Sequence, residues 1–336
     1  MGLAKLRICC LHVLWCLLLP VSSTQAQGDA EFPALRVERL GQGPIITPAL
    51  DPDIGSNIQG PSLIRVPDWI ANPLGRYYLY FADHRGLYIR LAYADDLLGP
   101  WTVYGPGTLR LEDSWFPSTC PPCSQAPGSD APLYAHIASP DVHVREDLKQ
   151  IVMYIHGRDD GAQLTRAATS TDGIHFTGRE EVLGRPYFRV IPWQGDYYAL
   201  AMPGYLYRSR DGLSDFIPGP RFFNDAMRHS ALLMRDNRLF VFWTQVGDAP
   251  ERIYASYLTL HDDWRQWTES SAVEILRPET DWEGAGLPLA ASQRGDITVP
   301  VNQLRDPAVF VEGGHSYLLY SVAGESGIAI AELKSD

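Results

Sequence analysis

The chain has 336 residues and a formal charge of −12, from 28 Lys plus Arg against 40 Asp plus Glu. Nucleic-acid binding needs a basic footprint, so that class is excluded, and 45% hydrophobic with 20% charged residues excludes disorder for most of the length. Seventeen Tyr, 9 Trp and 11 Phe beside 29 Gly and 26 Pro favour strands and turns over helices.

Lys5 and Arg7 precede an apolar run from Ile8 to Val21, then Ser22-Ser23-Thr24-Gln25-Ala26. Small residues at the last and third-last places complete the pattern of a secretory signal peptide, residues 1–26, cut after Ala26. The run is shorter than the about 20 residues of a spanning helix. The expected mature chain, 27–336, is a single domain, secreted or periplasmic, and free of the membrane once the signal is cut. Losing Lys5 and Arg7 takes its charge from −12 to −14. Cys120 and Cys123, in Cys-Pro-Pro-Cys, are expected to staple a surface loop away from the channel described below. The βαβ context of a redox motif and the further ligands of a zinc site are both missing.

A unit then recurs: a strand ending in Ala or Ser, an acidic turn, and an aromatic-led strand. It runs Tyr88–Trp101, Ala167–Phe176, Leu206–Phe216, Ile253–Trp264 and, truncated, Gly327–Leu333. Each copy follows two β-rich runs: Pro61–Val66 with Tyr77–Ala82, Asp141–Val144 with Ile151–Ile155, and Tyr187–Ile191 with Tyr197–Ala201. The last two pairs are Ser230–Met234 with Leu239–Trp243 and Ala308–Val311 with Tyr317–Val322. Gly, Asp, Asn and Pro turns separate the runs, as hairpins require. Four antiparallel strands per copy is a propeller blade, so the expected fold is all-β, a five-bladed β-propeller. The last copy lacks an outer strand. Leu35–Leu40 alternates suitably, and as the N-terminal strand it would close the ring.

First strands line the axis of a propeller, and polar residues at their starts, or at the ends of second strands, meet at one mouth. The candidates are Asn57, Gln59, Asp83 and His84 in blade one. Blade two offers Asp141, His143, His156 and Arg158, and blade three Tyr187 and Arg189. Blade four gives Arg228, His229 and Gln245, and blade five Arg305, Asp306 and Glu325. Converging carboxylates shift each other's pKa values, which is how an acid–base pair is made. Asp95, Asp172, Asp211 and Asp262 fall in the repeated outer turns and read as structural.

At these residues the chain resembles the five-bladed glycosidases around glycoside hydrolase families 43, 32 and 117. Gly43–Pro48, Asn57–Val66 with Tyr77–His84, Ala138–Val144, and Arg305–Phe310 with Ala323–Gly327 carry the likeness. In family 43 a base Asp opens blade one, where this chain has Gln59-Gly60-Pro61. The family's acid Glu lies on blade three, where this chain has Tyr187-Phe188-Arg189. Asp141 matches the blade-two Asp that tunes pKa, and the Arg-Asp-Pro of family 32 is found in blade five. The resemblance implies a carbohydrate substrate and inverting chemistry.

The resulting expectation is a glycosidase with Asp141 and Asp306 as the leading carboxylates, within about 10 Å of each other at one mouth. Glu325, His156 or His229 would protonate the leaving oxygen. Asn57, Gln59, Asp83, His84, His143 and Gln245 would contact sugar, Arg158, Arg189 and Arg305 would hold its hydroxyls or an anionic substituent, and Tyr187 and Trp243 would stack on the ring. The rivals are a non-catalytic sugar-binding propeller and a glycoside phosphorylase or transferase. No cofactor is expected. A structural metal ion on the axis is left open, and no spacing demands one.

Overall fold

Short runs of β-branched and aromatic residues, broken every few positions by Gly, Pro or Asx turns, can bury their apolar faces only by stacking sheets. A computed structural model describes residues 32–119 and 134–335, apart from Ala34, Asp160 and Asp236, together with Met1. The signal segment beyond Met1 and the Cys120–Cys123 pair lie outside the described residues. All strands fall within the unit Phe32–Asp336.

They form five antiparallel sheets. Blade one is β2 (Gln59–Arg65), β3 (Tyr77–Ala82), β4 (Tyr88–Ala94) and β5 (Thr102–Val103), with β6 (Leu109–Arg110) also on β4. Blade two is β7 (Ile137–Arg145), β8 (Gln150–Asp159), β9 (Ala162–Ser170) and β10 (Thr177–Gly178). Blade three is β11 (Arg189–Trp193), β12 (Asp196–Ala201), β13 (Tyr205–Ser209) and β14 (Ile217–Arg221). Blade four is β15 (Met227–Arg235), β16 (Arg238–Gln245), β17 (Ile253–Thr259) and β18 (Thr268–Glu269), with β19 (Val273–Leu276) also on β17. Blade five is β20 (Arg305–Glu312), β21 (His315–Ser321) and β22 (Ile328–Ser335). Its outer strand is the N-terminal β1 (Leu35–Arg39), paired antiparallel from Leu35↔Ser335 to Arg39↔Ala331. The expected closure of the ring is therefore found.

The core is split into five apolar clusters, one at each blade-to-blade interface. Tyr80, Leu91 and Phe116 meet Met153 and Ile155 between blades one and two. Tyr154 meets Phe188 and Val190 between two and three, and Tyr198 meets Trp264 and Trp267 between three and four. Phe242 meets Tyr320 between four and five, and Phe81 meets Leu319 and Ile330 between five and one. The acidic turns hold hairpins: Asp172 accepts the N–H groups of Ile174 and His175, and Asp211 those of Leu213 and Ser214. These are Asx turns, the structural role expected of both. Among the described residues no helix is long and apolar enough to cross a membrane.

Candidate active site

The inner strands share one local device. In blades one, two and five the register jumps between Gln59 and Ser62, Ala138 and Asp141, and Arg305 and Ala308. Each jump contains a left-handed residue followed by Pro: Gly60 (φ 63°), Ser139 (φ 49°) and Asp306 (φ 47°). Tyr187, just before β11, is also left-handed at φ 63°. Such backbone costs non-glycine residues about 1–3 kcal/mol and concentrates at functional sites. Here the bulges turn the strand starts into one mouth of the channel.

Gly60 has no alternative in this arrangement. A Cβ added there would lie 2.8 Å from the Cα of Ser139 in the neighbouring bulge. Gly60→Ala is expected to cost about 1–3 kcal/mol in denaturant unfolding. Unchanged stability would show that the two bulges move apart freely. The same collision explains why blade one carries no carboxylate at this position.

Blade five carries it instead. Asp306 is 1% exposed, and its Oδ2 accepts from Ser321 Oγ at 3.2 Å. Its backbone N–H donates to Nδ1 of His229 at 3.2 Å, and Oδ1 lies 3.0 Å from the same nitrogen. Nδ1 gives its one lone pair to that N–H, and Asp306 Oδ1 is buried without a hydrogen-bond partner. Burial and the charge of Glu325 push Asp306 up to about 6, against the pull of Arg228, Arg305 and His84. Burial and the charges of Arg228 and Arg305 hold His229 far below the usual imidazole range, hence neutral.

Glu325 has the opposite fate. Burial favours its neutral form but is outweighed by His84 and Arg305 and by a hydrogen bond from Asn57, which together hold it well below the usual carboxylate range. Arg305 Nη1 is 2.9 Å away, Asn57 Nδ2 2.7 Å and His84 Nδ1 3.3 Å. Glu325 in turn raises His84 against burial. Arg305 and Arg228 both reach Glu251, at 3.1 and 3.4 Å. The guanidiniums also hold a segment that crosses the mouth: Arg228 donates to Gln293 O, Arg305 to Gly295 O, and Asn57 to Ile297 O.

A run of rings completes the mouth. His136 packs on His156 at 5.6 Å, His156 stacks on Tyr187 at 4.2 Å, and Tyr187 meets His229 at 5.0 Å. Burial, then His136 and His84, keep His156 neutral, and burial brings His136 down to about 4. Several polar atoms here are buried without a partner: Gln59 Nε2, His136 Nε2, both ring nitrogens of His156, and His229 Nε2. Buried polar atoms are nearly always bonded, so such a concentration sets this region apart from the apolar cores between the blades.

The mouth therefore assembles Asn57, Gln59, His84, His156, Tyr187, His229, Arg305, Asp306 and Glu325 from the sequence candidates. His136 and Glu251 join them unforeseen. Asp83 is a turn cap, accepting Arg85 N–H at 2.7 Å and facing Arg90 at 3.4 Å. Gln245 bonds Asn224 and Asp248 on its own blade, and Trp243 donates to Ser256 within blade four. Arg158 is buried and adds its charge to the field at His136.

Asp141 and Asp306 occupy non-equivalent positions of their inner strands. It pairs in register with Tyr154, as Ala308 pairs with Leu319, so Asp141 is the blade-two counterpart of Ala308. The counterpart of Asp306 is Ser139. Asp141 and Ala308 both line a separate axial cavity, together with His143 and Arg189. Arg189 lies between the two regions. Its guanidinium donates to Ser230 O in blade four and to Ser139 O and Pro140 O in blade two. Among the described residues no cluster of His, Cys, Asp and Glu has a geometry that could hold a metal ion.

Comparison with known proteins places this site in context. No family model matches the chain. Uncharacterized protein R118 of Acanthamoeba polyphaga mimivirus is 38% identical over 307 residues, 82% of this chain and 83% of that protein. The fold is shared with a thermostable family-43 glycoside hydrolase, with a TM-score of 0.54, 14% identity, and 84% of this chain and 91% of that one covered. It is shared with an α-L-arabinofuranosidase from Lactobacillus brevis (0.52, 12%, 84% and 92%). An N-acetylgalactosamine deacetylase from F. plautii also has it (0.54, 10%, 89% and 95%). At these identities the likeness is one of fold.

Proposed function

The chain belongs to the family of the mimivirus protein, and on that premise we propose that it is a secreted glycoside hydrolase working at the mouth built around Asp306. One observation carries the reading: unpartnered buried donors and acceptors from blades one, two and four lie beside a buried carboxyl whose pKa is raised to about 6. A sugar presents hydroxyls that both donate and accept, which suits such a mixed set. Asp306 is the general acid that protonates the leaving oxygen. Glu325 stays ionised, and after burial its charge is what raises Asp306. Neutral His156, with both ring nitrogens unpartnered, is a hydrogen-bonding group for the substrate rather than a proton acceptor. Tyr187 is the stacking platform.

This assignment separates two carboxyls by environment, the usual way one site supplies an acid and an anion at the same pH. It predicts a pH profile. The acid works only while protonated, so kcat/KM is expected to fall as pH rises through about 6, the raised value of Asp306. A profile flat from pH 5 to 8 would remove Asp306 from the acid role. The reading itself is tested on aryl glycosides and plant or algal oligosaccharides, with and without phosphate. Hydrolysis independent of phosphate supports it, binding without turnover points to a sugar-binding propeller, and phosphate-dependent cleavage to a phosphorylase.

A further inference from the structure

None of Asp306, Glu325, His84, His156, Tyr187 and His229 is more than 5% exposed. A general acid has to touch its substrate. A sugar therefore reaches Asp306 only after part of the chain has moved.

The segment that crosses the mouth is the part placed to move. It is pinned at both ends. Ser292 N–H donates to Asp248 O at 2.9 Å, and its carbonyl accepts from Gly247 N–H at 3.0 Å, in the turn that follows β16. At the other end Val301 N–H donates to Ala323 O at 3.2 Å. Between these pins, residues 293–300 make no main-chain to main-chain hydrogen bond among the described residues. Side chains hold the span instead. Gln293 O accepts from Arg228 at 2.8 Å, Gly295 O from Arg305 at 3.2 Å, and Ile297 O from Asn57 at 3.0 Å. Every second carbonyl thus faces the mouth, as in an extended chain. On the outside Arg85 Nε reaches Asp296 Oδ2 at 2.9 Å, and that arginine is exposed. Segments tied by so few main-chain bonds open locally without global unfolding. The three inner donors are groups that the mouth would otherwise turn to the oxygens of a sugar, so the carbonyls of the span sit where those oxygens would. At its middle Gly295 has φ 92°, and a Cβ added there would meet nothing within 4 Å.

We propose that residues 293–300 are a strap that closes the mouth and holds the place of the substrate, lifting between Ser292 and Val301 to admit it. The proposal deepens the hydrolase reading and rests on it for what enters, while the opening itself is measured without substrate.

The probe is diethyl pyrocarbonate, which acylates a neutral imidazole nitrogen, applied to the full chain and read residue by residue by peptide mass spectrometry. The reporter is His229 beside Asp306, whose Nε2 is unpartnered and which burial, then Arg228 and Arg305, keep neutral. Exposed His261 is the reference. His229 is expected to react about tenfold or more slowly than His261, at a rate that low urea leaves unchanged, because lifting a strap exposes little surface. Gly295→Ala should speed His229 about fivefold or more and leave His261 alone. Its methyl meets no neighbour, but the closed strap then carries a strained left-handed residue, and lifting relieves it. The proposal is overturned if His229 reacts as fast as His261, or if Gly295→Ala leaves the His229 rate unchanged. It is likewise overturned if that rate climbs with urea in step with global unfolding. The hydrolase reading fails separately. The expected rates without hydrolysis of any glycoside leave the strap standing, and hydrolysis with a freely reactive His229 removes the strap and keeps the enzyme.

Discussion

Asp306→Asn is expected to lower kcat by about 10²–10⁴-fold, the usual worth of a positioned general acid, with KM changed far less. The amide keeps the shape of the carboxyl and can still accept from Ser321 Oγ, which lies 3.2 Å from Oδ2. What it loses is the proton that the carboxyl holds because burial and Glu325 raise it to about 6. Steady-state kinetics on a substrate with a poor leaving group give the full loss. A substrate whose leaving group needs no protonation should recover much of the rate, and that difference identifies an acid rather than a structural residue. Parent-like kcat on both substrates would take Asp306 out of the chemistry. Asp141→Asn is the contrast. Its carboxylate lies at the register of Ala308 in the axial cavity, so its hydrolytic rate should stay within about tenfold of the parent. An equal loss from both variants would restore the pairing that the sequence suggests.

The two acids take non-equivalent places in their blades for a reason the sequence does not display. Ser139-Pro140-Asp141 and Arg305-Asp306-Pro307 both look like an acid beside a proline at the start of an inner strand. The bulge gives the residue before the proline to the mouth and the residue after it to the axis, a two-residue offset with opposite destinations. Periodicity carries no trace of it, because only the pairing with Tyr154 or Leu319 reveals which residue has been pushed out. The blades were legible because each must bury aromatic faces between acidic turns, and that repeats. Closure by Leu35–Leu40 was legible because a missing outer strand leaves an edge. His136 and Glu251 were not. His136 precedes β7, and Glu251 follows the turn that leaves β16, so neither occupies a repeated position. Among the described residues the segment holding Gln293, Gly295 and Ile297 has no counterpart in the other blades. Only the buried partners Arg228, Arg305 and Asn57 show that it crosses the mouth.

Arg305→Met is expected to cost about 3–5 kcal/mol of stability, because it strands charges that have no water to turn to. Arg305 is fully buried, with Glu251 at 3.1 Å and Glu325 at 2.9 Å, and it also donates to Gln303 Oε1 and Gly295 O. Met matches the length of the chain but supplies no donor. Glu251 would keep Arg228 at 3.4 Å, and Glu325 would keep Asn57 at 2.7 Å and His84 at 3.3 Å. In calorimetry the fall in Tm should be on the order of 10 °C. Arg305→Lys should recover part of it, since an ammonium meets one carboxylate but cannot fork to two. The loss should also depend on pH. Glu325 in the parent is held below the usual carboxylate range, so its contribution is full above about pH 4.5 and fades as pH falls through the depressed value. The gap between parent and Arg305→Met should therefore be widest near neutrality and narrow as the solution is acidified. A gap that does not narrow as pH is taken well below 4.5 would mean that Arg305 stabilises by packing alone. A variant as stable as the parent would mean that desolvating the guanidinium cancels everything its two carboxylates return.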